Sequence, residues 1–355
     1  MSRAAKPAAS ATRLSLIQKI DMLPALVSIL SVGFISLFSG LGRGKKGAPS
    51  LHLHIAYAIL RKATARLSPL QLHFPVDRGH LPAIYPVGAA DSSERGFGQR
   101  CQGHWIGDKN AKKVLVWYHG GGFCLPANMG YFKFFEQLVQ STGHDLAVFA
   151  LSYTLAPHAR YPEQLSQAVE ALRYIVMQTH RSPLDVFVGG DSAGGNLAVG
   201  LLSHLSHPHP AIPALNLEEP LAGVMLISPW TSLDANPVGV FNNIGDLITT
   251  QVAGPWSSAY LGDAERDYYS DPSNAPSTWF ENLLVKEILV LGGGNEIMRS
   301  MIEGFVSKVQ MAFPSVELFI GEREAHVAPV FNLYVGSKIE TKQGKALKEW
   351  LKKML

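Results

Sequence analysis

Six short, largely apolar runs punctuate the chain, at 114–118, 146–151, 185–188, 223–227, 288–291 and 316–320. Such runs lack the polar alternation of a half-exposed strand, so each reads as a strand buried on both faces. Stretches with helical spacing lie between them, notably 131–141, 164–179, 193–204, 297–312 and 344–355. This alternation predicts a largely parallel sheet with helices packed on both sides. Upstream, 75–106 is turn-rich with short alternations and predicts an antiparallel hairpin finishing on Cys101–Ile106. Between Trp230 and Glu281 there are helical pieces around 246–262 but no matching strand, so this interval reads as an insertion above the sheet, placed to act as a lid.

The N-terminal part follows a different pattern. The expected organisation is a flexible tail over 1–21, an apolar helix over 22–42, lid helices and a linker over 43–74, and an α/β domain over 75–355 with its lid insertion at about 230–280. Met22–Gly42 carries no charge and is flanked by Lys19 and by Arg43, Lys45 and Lys46. Its length suffices for the roughly 30 Å of a bilayer core. Ser28, Ser31, Ser36 and Ser39, with Pro24, Gly33 and Gly40, dilute its hydrophobicity. Three readings stay open: a membrane anchor, a helix packed over the domain as part of a lid, and a cleaved signal.

Composition narrows the field. With 355 residues, 47% of them hydrophobic, the chain can bury a full core. A net charge of +3 without a basic stripe gives no support to a nucleic-acid partner. Two cysteines, Cys101 and Cys124, make no disulfide framework. His204, His207 and His209 lie close together, but Pro208 and Pro210 make that segment a solvated loop rather than a metal site. No metal or organic cofactor is implied.

The chemistry centres on Gly190-Asp191-Ser192-Ala193-Gly194, where a strand passes into a helix. Small neighbours let a serine take strained backbone angles in so tight a turn and lift its hydroxyl clear of the sheet, although a plain glycine-rich turn with a serine cap has the same letters. His119-Gly120-Gly121-Gly122-Phe123 follows the first apolar run, where glycines can aim backbone N–H groups at a developing oxyanion. Gly121, Gly122 and Ala193 are the candidate donors. A serine needs a base, and His326, after the last apolar run, is the histidine placed late enough in the chain. The histidine needs an acid in turn, and Glu296 lies in the loop after the 288–291 run. Glu287 falls at the wrong end of that strand, and Asp263, Asp267 and Asp271 fall in the insertion. Asp191 adjoins the serine and points elsewhere.

The elbow GDSAGGN, the loop HGGGF, the late AHVAP, the intervening GGGNEIMRS and the segment Tyr153–Pro157 together resemble the hormone-sensitive-lipase group of α/β-hydrolases, in its fungal steryl acetyl hydrolase and carboxylesterase branch. The resemblance covers about residues 70–355. It implies an α/β-hydrolase fold, a mostly parallel eight-stranded sheet with a helical lid. It also implies catalytic Ser192, Glu296 and His326, oxyanion donors Gly121, Gly122 and Ala193, and no cofactor. The substrate it implies is a small hydrophobic ester with a short acyl group, met at a membrane such as the endoplasmic reticulum through a single N-terminal span, or in the cytoplasm if residues 22–42 form a lid. A receptor on the same scaffold, or an elimination or acyl-transfer enzyme, is the alternative, although the family's receptors lose the histidine retained here as His326. The acid motif departs from the family's usual Asp-x-Leu-Arg-Asp: it reads Glu296-Ile297-Met298-Arg299-Ser300, without the second carboxylate.

Overall fold

The computed structural model describes residues 14–44, 47–72, 93–94, 102–234 and 243–355. Most of the expected hairpin, including Cys101, lies outside the described residues, as do Lys45 and Lys46. Eight strands form one sheet: β1 (Ser93–Glu94), β2 (Gln102–Ile106), β3 (Lys113–Tyr118), β4 (Leu146–Ser152), β5 (Val186–Asp191), β6 (Gly223–Ile227), β7 (Ile288–Gly293) and β8 (Val316–Gly321). Their spatial order is β1-β2-β4-β3-β5-β6-β7-β8. β2 pairs antiparallel with β1 and β4, and every other pairing is parallel. β5 and β7 extend past the apolar runs that announced them, to Asp191 and Gly293, which carries the ladder into the loops where the chemistry was expected.

The continuous apolar runs follow from two-sided burial. Along β3, Leu115 and Trp117 face one layer while Val114, Val116 and Tyr118 face the other. The first layer is closed by α3 (Met129–Ser141), α8 (Ala328–Tyr334) and α9 (Lys342–Met354), which bring Phe134, Phe135, Val330 and Trp350 against the sheet. The second is closed by α4 (Glu163–Arg173), α5 (Ala193–Ser206) and α7 (Arg299–Gln310), through Leu165, Leu172, Leu201, Ile302 and Phe305. β8, at the sheet edge, exposes Glu317 and is half-buried in its middle. The insertion carries α6 (Ala253–Leu261) and short 3-10 turns, with no named strand among its described residues.

The first helix, α1 (Leu16–Ser39), starts earlier than expected, so residues 16–21 are helix and not tail. The cause is a capping box: the Ser15 hydroxyl accepts the Gln18 amide at 3.2 Å while Gln18 Oε1 accepts the Ser15 amide at 2.9 Å. α1 packs along α2 (Leu51–Arg66), burying Ala25, Ile29, Gly33 and Ser36, with Gly33 against Ile59. Arg66 clamps Asp21 through two hydrogen bonds of 2.5 and 2.7 Å, and Gln71 reaches the same carboxylate at 3.2 Å.

The histidine-rich segment departs from expectation. His204 stays inside α5 and is 1% exposed; His209 is 8% exposed and packs against the Tyr161 and Tyr269 rings. The chain turns back onto α5 after Ser206, and the His209 amide donates to His204 Nδ1 at 3.0 Å, so these rings are packing elements and not solvated ones.

Candidate active site

All the residues singled out for chemistry gather at the carboxyl ends of the parallel strands, where an open α/β sheet binds its ligands. Ser192 follows β5 with φ 50° and ψ −117°, a strained conformation for a residue with a side chain. Its amide donates to the Ile227 carbonyl and its carbonyl accepts from the Trp230 amide, each at 2.9 Å, so the end of β6 holds the elbow. The flanking glycines are a steric necessity: a Cβ on Gly194 would lie 1.9 Å from the Tyr118 carbonyl oxygen, and one on Gly190 2.3 Å from that of Gly194.

Asp191 does point away from the serine, and its task is visible. Its Oδ1 accepts from Trp117 Nε1 and from the Gly120 amide, each at 3.1 Å, and its Oδ2 accepts from the Tyr131 hydroxyl at 2.6 Å. The glycine loop is thereby tied to the elbow through its first glycine. Burial raises the Asp191 carboxyl to about 6 against the pull of these donors. With the Gly120 N–H engaged, the next amides are left: among the described residues no acceptor takes the N–H of Gly121, Gly122 or Ala193. Gly121 has φ 104° and Gly122 φ 59°, and the Trp256 ring from α6 lies so close to Gly122 that a Cβ there would fall 1.7 Å from it. His119 is buried, stacked on Tyr153 at 4.3 Å, and lowered to about 4 by desolvation, so it is neutral at physiological pH.

Glu296 and His326 meet. His326 Nδ1 lies 3.4 Å from Glu296 Oε1, while Glu296 Oε2 accepts from the Ser228 hydroxyl at 2.6 Å and the Gly293 amide at 2.5 Å. Burial pulls the His326 imidazole down, but the hydrogen bond and charge of Glu296, backed by Asp246 and Asp191, outweigh it and leave it above the usual 6.5. Both side chains are almost wholly enclosed.

Two contributors escaped the sequence reading. Ser228, at the end of β6 with φ 49°, donates to Glu296 and accepts from the Val327 amide at 3.1 Å, bridging the acid and the histidine loop. Nothing in its surroundings, Ile-Ser-Pro-Trp, distinguishes it from an ordinary strand end. The other is Asp246, fully buried, whose carboxylate accepts the backbone amides of both His326 (2.9 Å) and Ile297 (2.8 Å). Its one signal is a lone acid between Ile244 and the apolar pair Leu247-Ile248.

Comparison with known proteins places this geometry among relatives. A family profile described as alpha/beta hydrolase fold matches residues 115–330. Steryl acetyl hydrolase 1 of Saccharomyces cerevisiae is 23% identical over 253 residues, 63% of this chain and 56% of that protein. Mouse (Mus musculus) hormone-sensitive lipase is 25% identical over 170 residues, 46% of this chain and 21% of that protein. The chain spans about half the length of the curated relatives it matches. Among solved structures, an esterase of the bacterial hormone-sensitive lipase family superposes with a TM-score of 0.66 at 20% identity, over 86% of this chain and 99% of that one.

Proposed function

Because this chain belongs to the α/β-hydrolase fold family, with hormone-sensitive lipase and steryl acetyl hydrolases among its relatives, we propose that it is a serine carboxylic-ester hydrolase. The observation that carries the reading is the conjunction of a strained, clamped Ser192 with a buried Glu296–His326 pair at the same edge of the sheet.

In this reading Ser192 Oγ attacks the ester carbonyl carbon and its proton passes to His326 Nε2. The C–O bond to the alcohol then breaks, and the departing alkoxide takes that proton from His326. Water attacks the acyl-enzyme, gives a proton to His326, and the Ser192–acyl bond breaks as the proton returns to Ser192 Oγ; a carboxylic acid leaves. Glu296 holds the Nδ1–H tautomer and stabilises the imidazolium. A 3.4 Å separation between Nδ1 and Oε1 is long for a neutral ring and shortens when the ring gains charge. The oxyanion of each tetrahedral intermediate takes the N–H groups of Gly121, Gly122 and Ala193, whose freedom from internal acceptors supports that role.

The substrate we propose is a hydrophobic ester with a small acyl group. Phe123, Trp230, Trp256 and Tyr260 crowd the glycine loop and elbow, with Phe123 stacked on Tyr260 at 3.6 Å, which favours acetyl over longer chains. Steryl acetyl hydrolases among the relatives point the same way. Ser192→Ala is expected to lower p-nitrophenyl acetate turnover by about four orders of magnitude or more and to abolish fluorophosphonate labelling. Unchanged turnover in the variant would refute the serine mechanism.

We also propose that the protein works at a membrane surface. Within α1 and the turn after it, Leu16–Gly42, an 18-residue stretch has a mean hydropathy of 2.0, and only 17% of that stretch is buried. Leu23, Leu30, Phe34 and Phe38 stand outward, each more than half exposed. Because α2 covers the opposite side and Arg66 holds Asp21, this packing favours a helix seated in the lipid interface beside the domain.

A further inference from the structure

We propose that Asp246 is a positioning residue for the reaction, holding Glu296 and His326 in mutual register, and that Arg61 of α2 fixes it in place. The proposal rests on the assignment of Ser192, Glu296 and His326 given above. The loops that carry Glu296 and His326 follow different strands, β7 and β8, and no covalent constraint sets the distance between the two side chains. That distance, 3.4 Å, is at the limit of a hydrogen bond, so a displacement of a few tenths of an ångström breaks it.

A single carboxylate spans both loops. Asp246 Oδ1 accepts from the His326 amide at 2.9 Å and from its own neighbour Leu247 at 2.8 Å. Oδ2 accepts from the amide of Ile297, the residue after Glu296, at 2.8 Å. Hydrogen bonds to an ionised acceptor are the strong kind, and here they reach main chain, which fixes where each loop runs rather than how one side chain turns. Ser300 brings no carboxylate to the 296–300 loop; the insertion supplies one from outside it. Asp246 is itself held. Its main-chain carbonyl accepts from Arg61 Nη1, which also donates to the Ile244 carbonyl at 3.1 Å, and Tyr57 on the same helix donates to Asn332 of α8 at 2.5 Å. Tyr57, Leu247 and Ala325 pack in one small core beside these bonds. α2 thus buttresses the histidine loop from two directions.

Charge adds a second effect. The groups facing His326 are Glu296 from the end of β7, Asp246 from the insertion and Asp191 from the end of β5. Those facing Asp246 are His326, Glu296, Arg61 and Tyr57. Asp246 therefore favours the imidazolium that forms during each proton transfer.

The test compares the full chain with Asp246→Asn and Arg61→Met, each checked by thermal unfolding, on p-nitrophenyl acetate. Asn matches the size of Asp but loses the charge and turns an N–H toward one of the loop amides. For Asp246→Asn the expected result is a fall in kcat of about tenfold or more with KM within about twofold, and an acid limb of kcat/KM moved to lower pH. Arg61→Met keeps the carboxylate, so it is expected to lower kcat while leaving the acid limb in place. A merely structural role would lower thermal stability and leave kcat and the acid limb of the folded fraction untouched, and that result overturns the proposal. Should Asp246→Asn not fold, an unchanged kcat in Arg61→Met overturns it as well. Ser192→Ala separates the two levels: activity surviving in that variant defeats the serine assignment and the positioning role with it, whereas inactive Ser192→Ala beside fully active Asp246→Asn defeats the positioning role alone.

Discussion

The acids around Ser192 and His326 divide their work by what they touch. Glu296 meets the imidazole, Asp191 secures the glycine loop, and Asp246 secures the backbone of the two loops bearing Glu296 and His326. Asp191 and Asp246 are both raised to about 6 by burial, each offset by the donors it accepts from. In the proposed mechanism His326 has to be neutral to accept the Ser192 proton, and its imidazole is raised above 6.5. The sign follows directly: below that raised value the ring is protonated and cannot act as a base, so kcat/KM is expected to rise with pH through a midpoint above 6.5 and to be lost on the acid side. A pH profile of ester hydrolysis under kcat/KM conditions checks this, and a midpoint well below 6.5 contradicts the charge arrangement around the ring.

At the scale of elements, the passage from β5 through Ser192 into α5 packs backbone on backbone. Tyr118 at the end of β3 and Gly194 at the start of α5 approach so closely that only a hydrogen fits between them. Gly194→Ala places a methyl 1.9 Å from a carbonyl oxygen and forces β3 and α5 apart. We expect a destabilisation of about 3 kcal/mol or more together with loss of activity, read by thermal unfolding and p-nitrophenyl acetate turnover. A variant that melts with the parent protein would mean that the elbow is looser than this packing. The N-terminal helices also differ from each other at this scale. α2 buries Tyr57 and Leu53 against the histidine loop and the insertion, whereas α1 touches the domain mainly through α2.

At the scale of the whole molecule, the large exposed apolar side chains among the described residues concentrate on α1. Sequestering such a surface from water is worth roughly 25 cal/mol per Å² of apolar area, enough for a helix of this length to hold the protein at a bilayer. Full-length protein is expected to stay with a membrane fraction and to co-sediment with phosphatidylcholine vesicles, while Leu30→Ser, Phe34→Ser and Phe38→Ser combined release it without lowering turnover of the soluble ester. Equal release of both proteins would remove the membrane from the account and leave α1 as a cover for α2. Seating the molecule by α1 would place α2, and through Arg61 and Tyr57 the histidine loop, next to the phase in which a hydrophobic ester dissolves.

The sequence by itself determined the sheet and the loops on which the candidate site residues stand. Two-sided burial writes a strand as an unbroken apolar run, and the elbow and glycine loop are dictated by local sterics, so both are legible a few residues at a time. Glu296 and His326 could be picked because each follows its own strand, where chain order alone restricts the choice. What only the tertiary structure decided are the contacts that join distant segments through single polar atoms. Asp246 and Ser228 sit in stretches with no local peculiarity, and their roles exist because the insertion and the end of β6 are folded against loops far away in sequence. The buried state of His204 and His209 was hidden for the same reason, since a proline-flanked segment reads as solvated until its partners, Tyr161 and Tyr269, are brought over it. The early start of α1 was readable in principle from Ser15 and Gln18, but the apolar signal begins later and outweighs so short a cap. Local sterics and periodicity are properties of neighbours in the chain; the register of the Glu296 and His326 loops is a property of neighbours in space.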